Sequence, residues 1–253
     1  MAQHPPQRRV FVSGGLRFRL NSWFDVPQVG GGFETGLPNR IPVDLAYRIR
    51  AAANLRPGHE AEDTLLELKA LGAEYAVIHG PKSREYYRDF VRPERVAGSL
   101  PAVYRIEDDA IYALPARPLA HLVTPDELPE SDVRGHSQAL ARYVAAIEDT
   151  SRPALGVEWA DTSRLVVTGP VSPGKWISVQ VNADPGWHAT QDEHDIAIEN
   201  DHLGFVVLHP EPAAAARIEL RYRGTTEQRT MAAVSAVAWL ASLLALFRTF
   251  LRP

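Results

Sequence analysis

Lys175-Trp-Ile-Ser-Val-Gln-Val-Asn182 is the stretch that decides the fold. Ile177, Val179 and Val181 alternate with Trp176, Ser178, Gln180 and Asn182, which is the two-residue period of a strand with one apolar face. The valine and isoleucine side is expected to face a core. Short segments of the same kind lie on either side: Gly156 to Ala160, Arg164 to Thr168, Trp187 to Thr190, Asp195 to Glu199, Gly204 to His209 and Arg217 to Tyr222. Turn residues separate them, and seven short strands at this spacing predict a β-sandwich of two antiparallel sheets over residues 151–228.

Upstream, residues 1–125 read as a mixed α/β domain. Arg9 to Ser13 and Leu16 to Asn21 have strand character, the second with Leu16, Phe18 and Leu20 opposite Arg17 and Arg19. Asp44 to Asn54 and Glu60 to Leu71 have helical spacing, and Gly72 stands where a helix stop is expected. Tyr75 to Ile78 follows as a short buried strand ending in His79-Gly80-Pro81. Ser83 to Phe90 reads as a short helix. Ala102 to Ile106 and Ala110 to Leu114 read as a hairpin turning at Glu107-Asp108-Asp109. The proline-rich, acidic stretch from Ala116 to Arg134 suits an exposed connector, and His136 to Glu148 a helix, so residues 126–150 form a connector and helix.

At the carboxy end, Met231 to Phe247 is an uncharged, alanine- and leucine-rich run of about 25 Å if helical. Every face of it is apolar or small, which predicts a membrane-spanning helix over residues 229–251 and places the chain at a bacterial inner membrane as a single-pass protein with its globular part outside the cytoplasm. The plainer alternative is a core helix ending a globular domain. The basic residues flanking the run do not decide an orientation.

Composition closes several routes. The chain has 253 residues, 27 basic and 31 acidic, a net charge of -4 and no cysteine. Without cysteine there is no disulfide scaffold, thiolate zinc site or cysteine nucleophile. The mixed charge gives no electrostatic footprint for nucleic acid. The amino terminus carries Arg8 and Arg9 with no apolar stretch behind them, so the chain as given shows no export signal. Nothing in the sequence implies a cofactor.

Several phrases carry a resemblance. Arg9-Val-Phe-Val-Ser-Gly-Gly-Leu-Arg-Phe-Arg-Leu-Asn21, Pro27-Gln-Val-Gly-Gly-Gly-Phe33, Leu71-Gly-Ala-Glu-Tyr-Ala-Val-Ile-His79 and the pair Val103-Tyr-Arg-Ile106 and Ala110-Ile-Tyr-Ala-Leu114 are similar to the extracytoplasmic part of YfhO-like proteins and of GT-C glycosyltransferases of the dolichyl-phosphate-mannose type. Pro185-Gly-Trp187 and Ile218-Glu-Leu-Arg-Tyr222 resemble their β-rich tail. The resemblance implies an accessory portion of a multi-spanning membrane protein, with the lipid bilayer and such a protein as partners. Those relatives keep an acidic residue on a loop after their first membrane helix. No such helix precedes Asp25, so that role does not pass to it.

Candidate sites gather at one turn. Asn21, Trp23, Asp25 and Gln28 combine an aromatic face with amides and a carboxylate, as carbohydrate binding requires. The glycines beside them, Gly30, Gly31 and Gly32, permit close backbone approach to a sugar or phosphate. The plainer reading is an aromatic anchoring a flexible turn. His79, with Ser83 four residues on, sits where α/β proteins often place functional groups, but Gly80-Pro-Lys-Ser83 lacks the strained turn of a serine hydrolase. Asp192, His194, Asp195 and His202 offer metal-ligating chemistry at a spacing that fits no established site.

The expectation is therefore a non-catalytic portion that holds a glycan or lipid-linked sugar. Two alternatives stay open: a tail-anchored hydrolase or transferase using the glycine turn and His79, and a structural interaction module. Convergence of His79, Asp25 and Gln28 on a nucleophile in one pocket would favour the enzyme.

Overall fold

The computed structural model describes residues 9–30, 39–51, 56–87, 90, 93–94, 98–115, 117–129 and 138–250. The elements run β1 (Arg9–Val12), a 3-10 turn (Gly15–Phe18), α1 (Leu20–Trp23), α2 (Ile41–Ala51), α3 (Glu60–Ala70), β2 (Ala73–His79), β3 (Ala102–Ile106), β4 (Asp109–Ala113), β5 (Ala120–Val123), a 3-10 turn (Pro125–Glu127) and α4 (Gln138–Glu148). Then follow β6 (Gly156–Asp161), β7 (Arg164–Val171), β8 (Trp176–Asn182), β9 (Trp187–Gln191), β10 (His194–Asn200), β11 (Phe205–His209), β12 (Ala213–Tyr222) and α5 (Thr226–Phe250).

The architecture is α+β. A four-stranded sheet has the order β1-β2-β4-β3, with β1 parallel to β2 and the other pairs antiparallel. α3 delivers the chain to it. Glu60, Glu62 and Asp63 in its first turn and Lys69 in its last match the helix dipole, and Gly72, at a φ of 68°, turns the chain into β2.

The second sheet corrects the expected sandwich. Its eight strands have the order β5-β8-β11-β10-β9-β12-β7-β6, and all neighbours are antiparallel. β10 pairs with β11 through Ala197–Asn200 and with β9 through His194–Ile196, so it joins what would have been two sheets into one. The sheet curls nearly into a barrel, and Leu122, Leu165, Val167, Ile177, Val179, Val206, Leu208, Ile218 and Leu220 form one cluster on its inner face. β5 lies inside the stretch read as a connector, yet its four residues are buried and pair with β8.

β8 and β11 are buried on both faces. Phe205 and Val207 join Phe11, Leu68, Ile78, Leu140 and Tyr143 in a second cluster, filled by α2, α3 and α4 between the two sheets. The polar side of β8 faces these helices. The Tyr143 and Ser178 hydroxyls share a hydrogen bond of 2.9 Å, and Gln180 Nε2 donates to Ala70 O at 2.8 Å and to Lys69 O at 3.1 Å.

Leu16 to Asn21 is not a strand. Gly14, at a φ of 75°, turns the chain sharply after β1. Leu16 and Leu20, four apart, then share the helical face that packs with Val10, Val12, Val26 and Val77 on the far side of the small sheet.

α5 corrects the membrane reading. Among the described residues no helix is long and apolar enough to cross a membrane. The helix opens inside a polar stretch, where Thr225 and Gln228 form a reciprocal cap and Glu227 and Arg229 occupy the first turn. Ser235 and Ser242 interrupt the apolar residues that follow. The single-pass inner-membrane location deduced from this segment falls with it.

Two buried carboxyls leave a signature in stability. Glu67, 3.0 Å from Arg48, is pushed up from 4.5 to about 7, chiefly by desolvation, with Arg48 pulling it down and Asp63 raising it further. Desolvation also lifts Asp201 from 3.8 to about 7, against the backbone amides of Phe205, Leu203 and Gly204. Both folded values lie above the unfolded ones, so the folded state binds the extra protons and its advantage is lost as pH rises through that window. The urea midpoint should therefore fall from about pH 5 to about pH 8, and Glu67→Gln and Asp201→Asn should each flatten the slope; a rising midpoint would contradict this.

The hairpin turn between Gln191 and His194 carries Asp192 and Glu193 at φ of 49° and 68°, a conformation that suits glycine. Glu193→Gly should raise stability by about 0.5–1 kcal/mol in chemical denaturation.

Candidate functional site

A groove of about 430 Å³ opens on the outer side of the small sheet. One wall is the 3-10 turn and α1, held down by Leu16 and Leu20. The other is the segment after β2, Glu85 to Tyr87, which the sequence had suggested as part of a helix. Its described residues 83–87 are not helical: Ser83 Oγ accepts from Glu85 N at 3.0 Å, and Glu85 Oε1 accepts from Tyr87 N at 3.1 Å. These side-chain bonds compete with a helical backbone.

Gly14 lets the walls meet. A Cβ there would stand 2.7 Å from Glu85 Cγ and 2.8 Å from the Tyr87 carbonyl oxygen. At Gly15 the nearest atom would be Glu85 Oε1, at 3.1 Å.

Four aromatic side chains line the groove while open to solvent: Phe18 is 41% exposed, Trp23 61%, Tyr86 84% and Tyr87 61%. The Arg17 guanidinium lies 4.6 Å over the Phe18 ring and 5.7 Å from that of Tyr47, which restrains Phe18. Tyr86 and Tyr87 meet edge to face at 4.9 Å. Arg19 and Glu85 add a donor and an acceptor at the rim. Flat apolar faces with hydroxyl, guanidinium and carboxylate groups at their edges can stack on the C–H side of a sugar ring and hydrogen-bond its hydroxyls.

Of the residues singled out in the sequence, Trp23 lines this groove. Asn21 and Gln28 are bonded to each other and shape the loop instead: Asn21 Nδ2 donates to Val26 O at 2.7 Å, and Gln28 Nε2 donates to Asn21 Oδ1. That loop then runs beside β1, where Val10 N donates to Pro27 O and Val29 N to Val10 O. Asp25 is exposed. Gly30, at a φ of 76°, packs against α2, where a Cβ would lie 3.3 Å from that of Ala46. Gly31 and Gly32 lie outside the described residues. Phe18, Glu85, Tyr86 and Tyr87 went unrecognised. The signal available was the Tyr86-Tyr87 pair, two adjacent large rings among polar neighbours.

His79 sits at the end of β2 facing Asp109 on β4, with Nδ1 2.9 Å from Asp109 Oδ1 and Nε2 3.3 Å from Ser13 O. Both ring nitrogens thus face oxygen acceptors. Ser83 Oγ is engaged with Glu85 N, and the described residues do not bring His79, Asp25 and Gln28 onto a nucleophile. Asp192 lies in the β9–β10 turn and His194 and Asp195 begin β10, whereas His202 follows the other end of β10. Among the described residues no group of three histidine, aspartate or glutamate side chains is placed to hold a metal.

In comparisons with known proteins, the chain matches no family model, no curated sequence and no solved structure.

If Gly14 is what brings the walls together, Gly14→Ala should cost about 1–3 kcal/mol and lower the melting temperature, because backbone and not only side chain must move. Gly15→Ala should cost clearly less, since the Glu85 carboxylate can swing aside. Equal losses in paired thermal melts would count against this account of the groove.

Proposed function

We propose that the chain is a non-catalytic carbohydrate-binding portion, holding a glycan or the sugar of a lipid-linked donor for a separate glycosyltransferase of the YfhO-like or GT-C kind. The observation that carries this reading is the set of four exposed rings on both walls of one groove. Burying such a ring is worth about 1.5–3 kcal/mol, so four left in water at one place are best accounted for by a ligand with flat apolar faces. Arg19 and Glu85 at the rim supply the polar recognition that a sugar needs and a purely apolar partner does not. The sequence resemblance to accessory portions of such transferases points the same way, and both ring nitrogens of His79 are engaged, with Asp109 and with the Ser13 carbonyl.

Affinity electrophoresis and calorimetry against soluble mannan, β-glucan and chitin oligosaccharides should reveal saturable binding to at least one of them. Trp23→Ala and Tyr86→Ala should each weaken it about tenfold, the loss expected for one stacked ring, without changing the melting temperature. The isolated chain should transfer no sugar from lipid-linked donors. Failure of every glycan to bind, or undiminished binding by both variants, would overturn the proposal.

A further inference from the structure

A second cavity, of about 600 Å³, opens where the β8–β9 and β10–β11 connections meet the residues before α2. Among the described residues its lining includes Asp184, Glu199 and Asp201 and a single histidine, with no lysine or arginine. Asn39 closes one side: its Nδ2 donates to Leu203 O at 2.8 Å and to Gly204 O at 3.0 Å, and its Oδ1 accepts from Ile41 N. Gly204 is required there, because a Cβ would stand 2.3 Å from Asn39 Nδ2.

The carboxylates are unequally used. Asp201 is only 6% exposed, and its Oδ1 accepts from Leu203 N at 2.9 Å and Phe205 N at 2.8 Å. Among the described residues its Oδ2, which is buried, meets no donor. Burial disfavours the Asp201 carboxylate, and a cation in the cavity that it lines would favour it. Trp187 supplies the apolar wall. Its indole N–H is spent on Asn182 O at 3.2 Å, so a ligand would meet the ring and not a donor. An electron-rich ring beside carboxylates attracts a cation with an apolar body. A bare metal ion is a poor match, since no suitable trio of ligands is present among the described residues.

We propose that this cavity binds an organic cation, an ammonium or guanidinium group on a short apolar stem, with Asp201 and Asp184 taking the charge and Trp187 the stem. The site is separate from the aromatic groove and does not depend on the carbohydrate reading.

The test is calorimetric and NMR titration of the full chain with n-butylammonium and n-butylguanidinium, with n-butanol as the neutral counterpart. Saturable binding of a cation, weakened by salt and absent for n-butanol, is expected. Asp201→Asn keeps the Oδ1 acceptor for both loop amides, so it should fold while weakening binding at least tenfold, as should Asp184→Asn. The wild-type Trp187 indole resonance, assigned through Trp187→Phe, should shift on titration and locates the ligand without any carboxylate variant. Equal binding of n-butanol, no saturation by about 10 mM, or a Trp187 signal that stays still would overturn the inference.

Discussion

The side-chain amide of Gln180 stands where the two halves of the molecule meet. A helix ends in carbonyls that its own backbone cannot satisfy, and those of Lys69 and Ala70 are turned toward the large sheet. Gln180 Nε2 supplies their donor, while Gln180 Oε1 takes a hydrogen bond from His121 Nε2 at 3.3 Å. The Lys69 carbonyl also accepts from Gly72 N at 3.0 Å, so it is the Ala70 carbonyl that Gln180 keeps from being left unpaired, at a cost of about 1–3 kcal/mol. The contact also requires a bare backbone at Gly72, where a Cβ would stand 2.9 Å from Gln180 Oε1.

This one contact sets much else. With Gln180 and Ser178 pinned to the helices, Ile177 and Val179 must face the inside of the curled sheet, because a slip of one residue would exchange the two sides. β5 and β11 then take their register from β8 on either edge, and Phe205 and Val207 fall on the helical side. The helices in turn cover one face of the small sheet, which leaves its other face to the 3-10 turn and α1. The aromatic groove is thus the outermost layer of a stack whose order is set at Gln180. The acidic cavity belongs to the same stack at its other side, where the loop held by Asp201 connects β10 to β11.

Much of the secondary structure was legible. α3 followed from its apolar spacing and Gly72, β2 from a short apolar run, and the strands from β6 to β12 from alternation between turn residues, because these signals are local. β5 was hidden by the prolines around four residues too few to show a period. Leu16 to Leu20 alternated as a strand does, but those positions are also four apart, and only Gly14 marked which spacing would win. At the site, Trp23 was readable as an aromatic among amides, whereas Tyr86 and Tyr87 were not. Their partners across the groove lie more than sixty residues away in the chain.

By itself the sequence determined the helical or alternating character of α3, β2 and the strands from β6 to β12, the lack of any cysteine chemistry, and the apolar composition of the last helix. These are properties of neighbouring residues and survive without a fold. Only the tertiary structure decided that eight strands form one curled sheet and not two stacked ones, because that depends on β10 being shared by both halves. It alone decided which apolar side chains stay in water, since burial is a relation between distant segments, and so it placed four rings around a groove while spending Asn21 and Gln28 on a loop.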